Sequence, residues 1–146
     1  MKIEVNVDEN ATDLRICVTC KRLTSDVEKM IAVLRMLNHQ LTAKQGDEIY
    51  LLDTAKIIYI ESIDRKCFIY TSDEVYESEF RLYELERQLE EYGFFRASKS
   101  MLIHLHHIQS LKADLNRRIR VTMTNGEQII ASRQYAEELK KRLGVI

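Results

Sequence analysis

The sequence predicts a β-dominated α+β domain, and three observations lead to it. Short apolar or alternating runs recur along the chain, separated by polar breaks. Helical periodicity is confined to three stretches, around residues 27–37, 82–92 and 136–143. Asn125-Gly126 lies between an alternating run and a short apolar one and supplies the positive φ angles of a tight hairpin turn. Many short strands with peripheral helices describe an α+β architecture rather than a bundle or a parallel sheet.

In chain order, Ile3-Glu4-Val5-Asn6-Val7 and Leu14-Arg15-Ile16-Cys17-Val18 each alternate apolar and polar residues, the period of a half-buried strand. A turn-like Asp8-Glu9-Asn10 separates them. Ser25-Asp26-Val27-Glu28 is spaced as a capping box, and Val27, Met30, Ile31, Leu34 and Leu37 follow at helical intervals. Residues 1–43 therefore read as a strand–strand–helix extension suited to dimerisation or partner contact. The polar stretch 38–46 marks the boundary to a second unit, residues 44–146.

Within that unit, Ile49 to Leu52, Ile57 to Ile63, Cys67 to Thr71 and Val75 to Phe80 read as strands. Leu82, Leu85 and Leu89 mark a helix ending at Tyr92, with Gly93 as its stop. Phe94 to Ala97 reads as a strand that meets a short helix near Ser98, and Ile108 to Lys112 as the next strand. Ile119, Val121 and Met123 alternate with Arg118, Arg120 and Thr122 before the Asn125-Gly126 turn, and Ile129 to Ala131 returns. Ala136, Leu139 and Leu143 define a closing helix between Ser132 as N-cap and Gly144 as stop.

Composition excludes several classes. Hydrophobic residues make up 45% and charged residues 31% of the 146, a soluble globular mix. No apolar run approaches the roughly 18–20 residues of a membrane span, and Met1-Lys2-Ile3-Glu4-Val5 lacks the apolar stretch of a signal peptide. The expected location is the cytoplasm. Three cysteines rule out a full disulfide framework. Cys17 and Cys20 have the spacing of half a zinc site or a redox pair, but no second pair follows, and they read as small apolar fillers of a strand. His104, His106 and His107 lack a carboxylate or thiolate at ligand spacing. There is no nucleophile elbow, phosphate-binding glycine loop or HExxH. No catalytic residue, metal or cofactor is expected, and the chain reads as a non-enzyme.

The net charge of −1 conceals an asymmetry. Residues 44–95 hold six Lys/Arg against thirteen Asp/Glu, a net −7, and residues 96–146 hold ten against four, a net +6. A basic segment presents a local positive surface even when the whole chain is near neutral. Three basic turns stand out: Asp64-Arg65-Lys66, Arg96-Ala97-Ser98-Lys99-Ser100 and Ser132-Arg133-Gln134. Each joins a cation to a polar group between regular elements, where binding residues on a rigid scaffold commonly sit. Arginine pairs with guanine bidentately, lysine donates to phosphate or guanine, and serine donates to phosphate. Arg117, Arg118 and Arg120 flank a hairpin, where they add phosphate contacts or simply face solvent.

Phe94-Phe95-Arg96-Ala97-Ser98-Lys99-Ser100-Met101-Leu102-Ile103-His104-Leu105-His106-His107-Ile108 resembles the LytTR motif. There a Phe-x-Arg strand leads to a polar triplet ending in Ser, then to a hydrophobic-hydrophobic-Asn step and a strand-starting isoleucine. Asn125-Gly126-Glu127-Gln128-Ile129-Ile130-Ala131-Ser132-Arg133-Gln134-Tyr135 is similar to that family's hairpin, Ser-Arg pair and closing helix, and Ile57-Ile58-Tyr59-Ile60-Glu61-Ser62 to its first strong strand. The resemblance covers about residues 44–146. It implies an elongated fold of stacked antiparallel β-sheets whose loops, not a recognition helix, enter successive major grooves of double-stranded DNA.

The resemblance carries Arg133 onto a base-contacting arginine and Lys99 onto a polar DNA-contacting position. It carries Arg65, Lys66 and Cys67 onto the remaining base-reading loop. Arg96, Ser98, Ser100 and Ser132 complete the expected DNA-binding set. Ser98 stands where a histidine is frequent, His104 where asparagine is usual, and Lys66 or Cys67 where some members have a base-reading histidine. The implied protein is a bacterial transcription regulator, a homodimer at least on DNA. About 40 residues before the DNA-binding part are too few for a receiver domain; the resemblance to stand-alone LytTR proteins of this length implies a small membrane-protein regulator as a further partner. A protein- or ligand-binding module without DNA affinity is the alternative on the same scaffold. An enzyme built on the His104 and His107 region ranks last.

Overall fold

A computed structural model of the chain describes residues 1–145. Among the described residues, ten strands form two sheets in which every pairing is antiparallel. The larger contains β1 (Gln40–Gln45), β2 (Glu48–Asp53), β3 (Tyr59–Ile63), β4 (Lys66–Tyr70), β5 (Val75–Ser78), β6 (Phe94–Ser98) and β7 (Met101–His104), in the order β2-β1-β5-β4-β3-β7-β6. The smaller contains β8 (Ile108–Ala113), β9 (Ile119–Met123) and β10 (Gln128–Ala131), in the order β10-β9-β8. Three helices, α1 (Ser25–Arg35), α2 (Leu82–Leu89) and α3 (Arg133–Leu143), lie against them.

Two apolar cores explain the sequence pattern. The first joins Ala32 and Met36 at α1 and its end, Leu82, Leu85 and Leu89 of α2, and Leu41, Ile60, Ile69, Phe94 and Leu102 of the large sheet. The second joins Tyr59, Phe95 and Ile103 of the same sheet to Val121, Met123 and Ile129 of the small sheet and Ala136 and Leu139 of α3. Consecutive residues thus enter opposite cores: Tyr59 and Ile60, Phe94 and Phe95, Leu102 and Ile103. Side chains alternate along a strand, so a strand covered on both faces must be apolar at every position. That is why Ile57-Ile58-Tyr59-Ile60 is continuous where the outer strands alternate. Burial of the Tyr59 ring pushes its phenol up to about 12.

The structure departs from the sequence reading in four places. Residues 1–24 contain no strand, and every one is exposed. The alternation at 3–7 and 14–18 is real, but two short strands pairing only with each other are marginal in water. Cys17 and Cys20 are correspondingly exposed thiols and fill no core. The cap of α1 is Thr24, whose hydroxyl accepts the Val27 N–H at 3.4 Å, one residue before the expected Ser25.

The polar stretch at 38–46 conceals β1, and the boundary expected at 43/44 falls inside that strand. Leu41 and Ala43 of β1 belong to the first core, so α1 and β1 are built into the same body as the later strands. The short helix expected near Ser98 is instead the tight turn between β6 and β7. At the C-terminus of α2 a 3-10 turn over Glu90–Tyr92 ends on Gly93 at φ +89°, a left-handed conformation that favours glycine.

Candidate nucleic-acid interface

Strand register brings four loops to one end of the molecule. The β3–β4 hairpin closes with Ile63 opposite Lys66, leaving Asp64 and Arg65 as its two turn residues. Their φ angles of 51° and 68° are those of a type I′ turn. β7 runs antiparallel to β3 with Met101 opposite Glu61, so the β6–β7 turn at Lys99-Ser100 lies beside that hairpin. The Ser62 N–H donates to the Ser100 carbonyl at 2.8 Å and ties the two turns together. The Ser132 N–H donates to the Ala97 carbonyl at 2.9 Å, which places the start of α3 against β6 at the same end. In the small sheet Ile119 is opposite both Ala113 and Ala131, so the β8–β9 connection, with Arg117 and Arg118, comes to this end as well.

The expected cations separate into free and committed groups. Arg65, Lys66, Lys99 and Arg133 are exposed and form no ion pair among the described residues. Arg133 is the first residue of α3, and the Ser132 hydroxyl makes no capping bond to that helix. Ser100 is exposed, and half-buried Ser98 uses its hydroxyl to accept the Ser100 N–H at 3.4 Å. Asp64, beside Arg65, is exposed without a paired cation.

Two expected contact residues need correction. Arg96 turns inward, its side chain only 17% exposed. Its Nε donates to the Ser98 carbonyl at 2.8 Å, one terminal nitrogen to the Lys99 carbonyl at 2.5 Å, and the other to the Glu86 carboxylate of α2 at 3.0 Å. All three guanidinium nitrogens are engaged, so Arg96 braces the turn that presents Lys99 and is not itself a contact. Cys67 is fully buried in the first core, and burial pushes its thiol up from the ordinary cysteine value. A thiol there touches neither base nor phosphate. The turn's exposed groups are Arg65 and Lys66.

Arg117 and Arg118 join the site by topology. Asn116 and Arg117 take φ angles of 58° and 64°, a second pair of left-handed residues in a cation-bearing turn. Arg117 is exposed, whereas Arg118 curls back, its Nε donating to the Leu115 carbonyl at 3.2 Å. Arg120 lies 3.7 Å from the Asp114 carboxylate. The Leu115 N–H first, and these two cations second, hold the Asp114 carboxyl below its ordinary value. Strand alternation alone does not tell which of these three arginines is free; the ion pair and the backbone bond do.

The histidines gather at the opposite end. His104 is buried, its Nδ1 2.8 Å from the Ile57 carbonyl and its ring stacked on Phe94 at 4.4 Å. It stands where the resemblance expects asparagine, and both side chains can donate to that carbonyl. Burial pushes the imidazole below the ordinary histidine value. His106 and His107 approach the His104 ring at 5.1 and 5.0 Å, and His39 meets Tyr92 edge-on. No group of three His, Cys, Asp or Glu among the described residues could hold a metal ion. No helix among the described residues is long and apolar enough to cross a membrane.

Residues 47–144 match the family model described as the LytTr DNA-binding domain. An uncharacterised HTH-type transcriptional regulator of Staphylococcus aureus (strain NCTC 8325) is 27% identical over 147 residues, covering 99% of both chains. Another, from strain MRSA252, is 26% identical over the same length. A solved LytTr DNA-binding domain of a putative methyl-accepting/DNA response regulator from Bacillus cereus is 26% identical, with a TM-score of 0.68. It covers 73% of this chain and 97% of its own. The relatives' names mention a helix-turn-helix, yet here no two α-helices follow one another without intervening strands among the described residues.

Proposed function

The chain belongs to the LytTr DNA-binding domain family and is a DNA-binding transcription regulator; on that premise we propose that it reads DNA with loops at one end of its sheets. Arg65 and Lys66, Lys99 and Ser100, and Ser132 and Arg133 enter successive major grooves of one duplex face, and Arg117 reaches phosphate. The observation that supports this reading is the placement of four loops at one end, stitched by the Ser62–Ser100 and Ser132–Ala97 bonds, with Arg65, Lys66, Lys99, Arg117 and Arg133 exposed and in no ion pair among the described residues. Rigid loops lower the ordering cost of binding, and unpaired cations are free to meet phosphate or guanine. Their assignment to bases or phosphates follows the family resemblance.

The protein acts without catalysis, in the cytoplasm, as a homodimer at least on DNA. A small membrane-protein regulator is its further partner, checked by co-purification from membranes. Selection of bound duplexes from random sequence by the purified protein, at stated salt, yields the operator and the half-site spacing. Gel shifts on that operator then compare wild type with Arg133→Ala. A loss of ~1–3 kcal/mol with relaxed preference at one base pair is expected for bidentate guanine contact. Equal weakening on every sequence removes the base-reading role of Arg133, and failure to enrich any sequence overturns the DNA reading as a whole.

A further inference from the structure

We propose that the N-terminal segment is an exchange arm: Leu14–Val18 of one protomer adds as a strand to the free edge of β2 in a second copy. This rests on the homodimer proposed above and supplies its contact. The chain carries an unsatisfied donor and an unsatisfied acceptor. Leu14, Ile16 and Val18 occupy every second position of a segment with no sheet partner among the described residues, and Leu14 and Ile16 are 88% and 53% exposed. β2 ends the order of the large sheet and pairs only with β1. An edge strand leaves a row of N–H and C=O groups open to another chain, and natural proteins normally blunt such an edge. β2 carries no proline or bulge and exposes two large apolar residues, Ile49 at 65% and Leu51 at 46%.

Shape and charge agree with one occupant. Ile49 and Leu51 line a groove of about 310 Å³ between β2 and α1, whose other apolar walls include Leu23, Ile31 and Phe80. Leu14, Ile16 and Val18 recur every second residue, the spacing that sets successive side chains beside Ile49 and Leu51 when backbones pair. Residues 14–22 carry Arg15, Lys21 and Arg22 and no acid. The receiving strand carries Glu48 and Asp53 and no cation, while the groove walls balance Glu28, Glu77 and Glu79 against Lys29, Arg35 and Lys44. Opposite charges across the seam favour this pairing and oppose acid-on-acid pairing of two β2 edges. A two-fold exchange satisfies both halves in both protomers, the self-complementary geometry of an isologous dimer.

Light scattering on the full chain at tens of micromolar is expected to give twice the monomer mass. Ile16→Lys and Leu51→Lys are each expected to give monomers with unchanged far-ultraviolet circular dichroism, since both side chains are exposed in the protomer. The direction of exchange is read with Cys17→Ser and Cys20→Ser in place. A chain bearing Ile16→Cys is mixed with a tagged chain bearing either Ile49→Cys or Leu51→Cys and oxidised. A reducible disulfide joining the two different chains supports the exchange. A disulfide closing only within one chain, when both cysteines are placed in it, overturns the proposal in favour of the arm folding back on its own edge. A dimer that persists in Ile16→Lys and Leu51→Lys overturns the arm and leaves the homodimer standing. A wild type monomeric in solution and on its operator overturns both. None of these substitutions touches the DNA-facing loops, so loss of operator selection remains a separate outcome.

Discussion

At the residue scale, Arg96 separates support from contact. Its guanidinium holds the Ser98 and Lys99 carbonyls and the Glu86 carboxylate, so it sets the shape of the turn rather than meeting DNA. Arg96→Met keeps much of the stem but removes these charge-assisted bonds. A loss of about 1.5–3 kcal/mol of stability is expected, read by urea denaturation, together with weaker operator binding. If the midpoint were unchanged while binding fell, Arg96 would instead be a direct contact. His104 carries a second prediction. Its folded-state pKa lies below the ordinary value because burial disfavours the imidazolium. The unfolded chain therefore takes up the proton first, and the linked stability is complete above about pH 6.5 and lost as pH falls below it. His104→Asn retains a donor for the Ile57 carbonyl and removes the ring proton, so the drop in melting temperature between pH 7 and pH 5 is expected to shrink. An unaltered drop would show that His104 does not carry it.

At the scale of elements, the β3–β4 hairpin holds a conflict between folding and binding. A type I′ turn is best served by Asn-Gly, yet Asp64-Arg65 occupies it with both φ angles positive. A non-glycine residue in that region is strained by roughly 1–2 kcal/mol. Arg65→Gly is expected to raise stability by about 1 kcal/mol and to weaken operator binding, measured by thermal melting and gel shift on the same preparation. A variant that gains stability and binds undiminished would remove Arg65 from the interface. The legible elements were those with a strong period or a terminal signal, such as β3, β9, β10, α2 and α3. β1 was hidden because Gln40-Leu41-Thr42-Ala43-Lys44-Gln45 has only two apolar positions, and its placement depends on β2 and β5. The N-terminal alternation misled for the opposite reason, since the pattern of a strand is local and its pairing partner is not.

For the whole molecule, net charge is a poor guide to partner, because the basic and acidic parts of the chain are segregated. Binding is expected to be steeply salt-dependent even though the protein carries a net −1. Plotting log affinity against log salt, Lys99→Ala is expected to lower the slope by about 1 if that lysine displaces one counterion from phosphate. An unchanged slope would exclude the phosphate contact. The candidate site was partly legible. Arg65, Lys99 and Arg133 are separated widely in sequence, and motif spacing related them before any coordinate did. Motif spacing did not tell which side chains in those loops are spent internally. Cys67 entered the expected set through the resemblance, and its place in β4, buried in the first core, removes it. Arg117 entered the site through the register of β8, β9 and β10, a long-range relation that no local pattern carries.

The backbone bonds that stitch the loops, Ser62 to Ser100 and Ser132 to Ala97, use no side-chain atom. The reading head can therefore be re-lettered without being rebuilt: exchanging the exposed side chains at 65, 66, 99 and 133 leaves these clamps in place. New operator preferences become accessible by point substitution, whereas loop transplantation would sever the links that hold the fingers in step with the helical repeat.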